Sequence, residues 1–349
     1  MRGSTGAKGE APTINDVAAL AGVSKKTVSR VINKSPLLTE PTRKKVEAAI
    51  VELGFVPNPQ ARALALRRNF LIVLLHDNPN AQTVQNFQKG VLQTIGDSDL
   101  ALVVRPVDRT SDGMLEDVRA FLEKHRPLGV LLLPPISERD DLAEVCRACG
   151  VEYVRVGSAP LDDEAHCVAS NDREVVREAC KALIAAGHRR FGFVRGPAGF
   201  RSALEREEGF RDAMNGAGVA IDDVLFAQGN YRFDSGIAAG NQLLLATPRP
   251  TAIFASNDEM AAGVMHAAKA RGIDVPDDLS IVGFDDSPTA SHLWPPLSTV
   301  RWPIVEMGRV AARKLVERYL PDIDDDEKEL PTRLPSTFID RGSIAPRPD

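Results

Sequence analysis

The stretch AGVSKKTVSRVIN, residues 21–33, puts three cations and several short polar side chains on one turn-bounded run. Ser24 can cap a helix over KKTVSRVI, and helical spacing then turns Val28, Val31 and Ile32 inward. Lys25 and Lys26 fall in the first turn, with Arg30 one turn further along the same side. Such a helix suits a DNA major groove, where lysine reaches base edges and arginine clasps guanine O6 and N7. Thr13, Ser24, Ser29, Asn33, Thr39 and Thr42 are short polar groups suited to phosphate oxygens. Capping is the simpler role for the same hydroxyls, and the two roles are compatible.

Three helices must position this chemistry. TINDVAALAG starts on Thr13 as N-cap with Asp16 in the first turn; Ile14, Val17, Ala18 and Ala21 repeat at helical spacing until Gly22 ends the run. Helix, short glycine turn, helix is a helix-turn-helix. A third helix follows Thr39 through TRKKVEAAIVELG, with Val46, Ala49, Ile50 and Leu53 as its apolar stripe. In VPNPQARALALRRN, Asn58 caps and Pro59 occupies the first position of a two-turn helix over 59–66. A helix this short is marginal alone, so it is expected to fold on a partner surface. Asn58, Ala61 and Leu64 are its expected minor-groove residues, with Leu64 as a wedge between base pairs.

Charge supports this division. The 349 residues carry a net charge of −5, yet residues 1–69 hold 12 Lys+Arg against 5 Asp+Glu and the rest 31 against 43. A basic end on an acidic body points to a polyanion for that end alone. Apolar content of 43% is that of a globular protein. No membrane partner is expected, because no apolar run nears membrane-spanning length, and the start lacks the apolar core of a signal peptide. A cytoplasmic location is therefore expected. Cys146 and Cys149 form a C-x-x-C without a second ligand pair, and the six histidines show no metal spacing. Neither a metal nor a catalytic residue is assigned.

From residue 70 short apolar runs alternate with helical patterns. FLIVLL, LALVV, GVLLL and EYVRV read as parallel strands, then RFGFV, VLFAQ, TAIFA and LSIVGF as a second series. The expected fold class is α/β: an all-α headpiece and hinge helix, then two doubly wound parallel-sheet lobes with a ligand crevice at the strand carboxyl ends. The expected division is a disordered arm (1–12), headpiece (13–56), hinge (57–69), first lobe (70–157 with 292–322) and second lobe (158–291 with 323–349). Neither G-x-G-x-x-G nor a Walker A sequence is present, so no nucleotide cofactor is expected. Asp77 and Asn78 follow the first strand end and are candidates for the crevice.

The first 66 residues, through TINDVAALAGVSKKTVSRVIN and TRKKVEAAIVELGFVPNPQARALA, resemble the headpiece and hinge of the LacI/GalR family of bacterial transcription repressors. The body resembles that family's periplasmic-binding-protein-like core up to about residue 343. The resemblance implies a homodimer on double-stranded, near-palindromic operator DNA, with the Leu64 pair at its centre. In ALEREEGFRDAM, Arg206 falls at the family's effector-binding arginine; Asn257 in FASNDEM and Asp285 in IVGFDDSP match ligand positions, and Tyr231 an aromatic beside the effector. Trp302 stands where many relatives have Gln, and an indole face suits a pyranose ring. Arginine, asparagine and aspartate together suit adjacent hydroxyls, so the implied effector is a sugar or sugar derivative. Departures occur at LLHDNPNAQ and around Gly157 and Ser158. The alternative is a sugar-active enzyme with a fused DNA-binding end, built on Asp258, Asp285 and Asp286. No nucleophile elbow or metal-ligand set supports it.

Overall fold

The computed structural model describes residues 12–32, 38–56, 69–96, 98–221, 224–317 and 330–347. Asn33, Asn58, Ala61 and Leu64, with the expected hinge helix, lie outside these residues. The chain divides into two units, up to Phe70 and from Leu71 onward.

The first unit holds α1 (Ile14–Ala21), α2 (Lys25–Ile32) and α3 (Glu40–Leu53). Gly22 sits at φ +62, a left-handed conformation cheap only for glycine, and ends α1 in one residue. Val17, Ala18, Ala21, Val28, Val31, Val46 and Ala49 close the core, with Ile14, Ile32, Ile50 and Leu53 packed against it. This is the stripe pattern expected from spacing, and it leaves one face of α2 free.

The second unit begins with β1 (Leu71–His76), α4 (Ala81–Ile95), β2 (Ala101–Pro106), α5 (Met114–His125), β3 (Gly129–Leu132), α6 (Asp140–Ala148), β4 (Glu152–Gly157) and β5 (Cys167–Ser170). It continues with α7 (Asp172–Ala185), β6 (Phe191–Arg195), α8 (Arg201–Gly216), β7 (Leu225–Gln228), α9 (Phe233–Leu244), β8 (Ala252–Ala255), α10 (Asp258–Lys269) and β9 (Ser280–Val282). The described elements end with α11 (Pro288–His292), β10 (Thr299–Arg301), α12 (Ile304–Val316), β11 (Arg333–Leu334) and β12 (Thr337–Ile339). One sheet runs β11-β5-β4-β3-β1-β2 and the other β7-β6-β8-β9, every pair parallel. Buried parallel strands read as unbroken apolar runs, which is why LIVLL and AIFA were legible.

Two boundaries differ from expectation. Cys167–Ser170 pairs with β4, and Arg333–Leu334 pairs with β5, both in the first sheet. The first lobe therefore extends past 157/158, and the returning chain rejoins it beyond 322/323. Neither segment has the length or apolar run that marks a strand; only neighbour pairing makes them so. The last strand, Thr337–Ile339, is likewise short and pairs antiparallel with β10.

Helix α12 packs on α4 at backbone distance. A Cβ on Gly90 would lie 1.9 Å from the Val305 carbonyl oxygen, and one on Gly308 would lie 2.4 Å from that of Phe87. Paired glycines thus tie the segment after β10 to the first lobe.

Candidate functional site

On α2, Lys25, Lys26 and Arg30 are exposed, while Val28 and Val31 are buried on the opposite side. The hydroxyls beside them are engaged at the helix starts. Ser24 Oγ accepts the Thr27 N–H (3.1 Å) and bonds the Thr27 hydroxyl (2.9 Å). Thr39 and Thr42 join through their hydroxyls at 3.0 Å. Thr13 donates its N–H (2.8 Å) and hydroxyl (2.7 Å) to Asp16, and those bonds hold the Asp16 carboxyl below its usual range. Ser29 is half-buried. Removing the Ser24 cap should therefore loosen α2: Ser24→Ala is expected to cost about 1 kcal/mol of headpiece stability, read as a lower denaturation midpoint, with Ser24→Gly nearly neutral.

Between the lobes lies a narrow cleft with about 40 Å³ of free volume. Asn78, Asn80, Thr83, Pro134 and Ser158 line it from the first lobe. Phe200, Ser202, Arg206, Tyr231, Asn257 and Asp285 come from the second, and Trp302 from the segment after β10. Most follow strand carboxyl ends: Asn78 and Asn80 after β1, Pro134 after β3, Phe200 after β6, Asn257 after β8 and Asp285 after β9. That is where parallel topology gathers loops. Six of the seven expected cleft residues meet there. The exception is Asp77, whose carboxylate is turned to Arg109, accepting its backbone N–H at 3.3 Å and facing Nε at 3.6 Å. Asn80, Thr83, Pro134, Ser158, Phe200 and Ser202 were missed; for Asn80, Pro134, Ser158 and Phe200 the loop after a strand end was the available signal, while Thr83 and Ser202 lie in the first turns of α4 and α8.

Several lining groups are already held in place. Asn78 Oδ1 accepts the Asn80 N–H, and its Nδ2 donates to the Pro134 carbonyl, both at 2.9 Å. Asn80 Oδ1 takes the Gln82 and Thr83 amides at the start of α4. Asn257 Oδ1 accepts the Met260 N–H and its Nδ2 donates to the Tyr231 carbonyl, each at 3.0 Å. These bonds use one hydrogen of the Asn78 amide and one of the Asn257 amide. Tyr231, at φ +68, brings its hydroxyl to Ser202 Oγ at 3.1 Å. The lobes also touch at the cleft rim, where Glu138 accepts the Arg201 N–H at 2.8 Å and Arg109 lies 4.1 Å from the Phe200 ring centre.

Arg206 is at the centre, 4% exposed. Its Nε donates to Asp172 Oδ2 (2.9 Å) and its Nη1 to the Ser256 carbonyl (2.6 Å), with Asp285 Oδ1 at 4.0 Å. The guanidinium carbon lies over the Phe284 ring, 3.5 Å from its centre. Burial pushes the Asp285 carboxyl well above its ordinary range, with Arg206 pulling against it. Behind it, Asp258 accepts the Thr299 hydroxyl (2.5 Å) and the Ser287 N–H (2.7 Å), and burial lifts it to about 6. A carboxyl raised in the folded state favours folding while protonated, and that gain is lost as pH rises from about 4 to about 6. Asp258→Asn should remove this slope: the variant's melting temperature minus the parent's is expected to rise from pH 4 to pH 6.5. A constant difference would contradict the assignment.

No nucleophile–base pair accompanies these acids among the described residues. Asp162, Asp163 and His166 gather between β4 and β5, but Asp162 accepts the Tyr153 hydroxyl and faces Arg155 at 3.5 Å, a poor setting for a cation. Burial raises the Cys146 thiol to about 12, which keeps it out of thiolate chemistry.

A three-helix unit with an exposed basic helix, followed by two parallel-sheet lobes closing on a polar cleft, defines a DNA-binding regulator with a ligand-binding core. Residues 13–58 match the model for bacterial regulatory proteins of the lacI family, and residues 180–344 that for a periplasmic binding protein-like domain. The HTH-type transcriptional regulator CelR of Thermobifida fusca is 37% identical over 88% of this chain and 92% of its own length. The ribose operon repressor of Escherichia coli K12 is 34% identical over 95% and 99%. Among solved structures, a lac repressor dimer bound to operator and an anti-inducer superposes with TM-score 0.77 at 26% identity, covering 96% of this chain and all of that one. The chain belongs to the LacI family of bacterial transcriptional regulators. No described helix is long and apolar enough to cross a membrane.

Proposed function

We propose that the protein is a cytoplasmic, homodimeric repressor of carbohydrate uptake or catabolism genes, controlled by a sugar-type ligand in the cleft. Lys25, Lys26 and Arg30 read bases; Thr13, Ser24, Ser29, Asn33, Thr39 and Thr42 reach phosphates; Asn58, Ala61 and Leu64 enter the minor groove. Arg206, Asn257, Asp285, Asn78, Tyr231 and Trp302 hold the ligand. The observation that carries this reading is the cleft itself: asparagine amides, a buried arginine fork, a carboxyl and aromatic faces converge there from both lobes. Hydroxyl-rich ligands donate and accept in close pairs, and this lining does both. A CelR–cellobiose complex, 33% identical with TM-score 0.68 over 95% of the chain, supports the ligand class.

A ligand touching both lobes favours one lobe arrangement over another, and that preference is the source of coupling to DNA. The test has two arms. Selection from random duplexes should yield a site bound far more tightly than bulk DNA. A thermal-shift screen of sugars should yield at least one stabilising ligand, whose effect is lost in Asp285→Ala. Parent and Asp285→Ala responding alike would remove Asp285 from the site.

A further inference from the structure

Asp172 lines no part of the cleft, yet it decides what Arg206 presents there. It is fully buried at the start of α7, and both its oxygens are used. Oδ2 takes the Arg206 Nε at 2.9 Å, and Oδ1 takes the Ser170 hydroxyl at 2.5 Å. Ser170 in turn accepts the indole N–H of Trp302 at 3.0 Å. One buried chain therefore joins a wall of the cleft (Trp302), the carboxyl end of β5 in the first sheet (Ser170) and the guanidinium of the second lobe.

Charge gives this chain its consequence. Among the described residues that line the cleft, Arg206 is the one cation. Asp172 pairs with it directly, and Asp285 stands 4.0 Å away. Asp258 and Glu259 lie behind Asp285 and add to the negative field there. At the rim, Arg109 faces Asp77 at 3.6 Å. Arg206 thus offers directed N–H groups without a surplus positive charge. A carboxylate or phosphate entering the cleft would find the one guanidinium already paired with the buried Asp172, so its own charge would be desolvated without a free counter-ion. An uncharged polyol accepts from the fork and donates to Asp285 at no such cost.

We propose that Asp172 is a positioning residue that sets ligand charge: by neutralising and orienting Arg206 it makes the cleft select uncharged sugars over their anionic derivatives. This rests on the reading of the cleft as a sugar site. The test is calorimetric titration of the full-length chain with matched pairs: ribose and ribose 5-phosphate, glucose and glucuronate, cellobiose and cellobionate. In any pair that binds, the parent should prefer the uncharged member by on the order of tenfold or more. Asp172→Asn should narrow or invert that ratio, and Asp172→Glu should restore part of it. A merely structural role would weaken both members equally and leave the ratio unmoved, which overturns the proposal. So does a parent that binds the anionic member as tightly, a result needing no variant to fold and leaving the sugar reading intact. Binding of no member of any pair would overturn the sugar reading, and with it the selection.

Discussion

Arg206→Ala is expected to be the most damaging single change in the second unit. It deletes the one cation between Asp172 and Asp285, leaving two buried carboxyls without their partner. Breaking a buried ion pair from one side costs about 3–5 kcal/mol, against a typical domain stability of about 5–15 kcal/mol. The cost should depend on pH in a definite direction. Burial already raises both carboxyls, and without the guanidinium they rise further. The orphaned acids fold readily while protonated, and the stability is lost as pH climbs through their folded-state values. Thermal melts of parent and variant should therefore separate more at pH 8 than at pH 5, and stabilisation by sugar should vanish at both. Arg206→Lys keeps the charge but not the planar fork that reaches Asp172 and the Ser256 carbonyl together, so it should recover part of the stability without ligand binding. Equal melts for parent and Arg206→Ala would contradict the buried pair.

Arg30→Ala should do the reverse. Arg30 is exposed on α2, outside the core of Val28, Val31 and Val46, so the headpiece should melt within about 0.5 kcal/mol of the parent. Discrimination between the selected operator and random duplex should fall by about 1–3 kcal/mol, the worth of a bidentate arginine–guanine contact. Salt dependence separates this from a phosphate contact. Loss of a phosphate partner weakens all sequences alike and lowers the salt slope by about one; loss of a base contact relaxes one position of the site. An unchanged ratio would remove Arg30 from base reading.

The headpiece was legible because its signals are local. Ser24, Gly22 and the Val28/Val31 spacing each specify a cap, a turn or a face within a few residues. The apolar strands were legible for the same reason. Residues 167–170 and 333–334 were not, since a strand of two to four residues exists only through its neighbour in the sheet. Arg206, Tyr231, Asn257 and Asp285 were found through family resemblance, and the strand-end rule would have added Asn80, Pro134 and Phe200. Asp172 escaped both. In ASNDREVV it has the look of an ordinary first-turn acid at a helix start, and its bond to Arg206, 34 positions away, is written nowhere in the local pattern. Asp77 shows the converse: a plausible position, with its carboxylate drawn away by Arg109.

The central claim is that occupancy of the cleft changes the grip of the headpieces on DNA. The direct measurement is the affinity of the full-length protein for its selected operator, at fixed salt, with and without a saturating sugar found by thermal shift. A coupling of about 1–3 kcal/mol predicts a change of roughly 5–150-fold, absent in Asp285→Ala. Operator affinity that stays the same while the sugar demonstrably fills the cleft would contradict it.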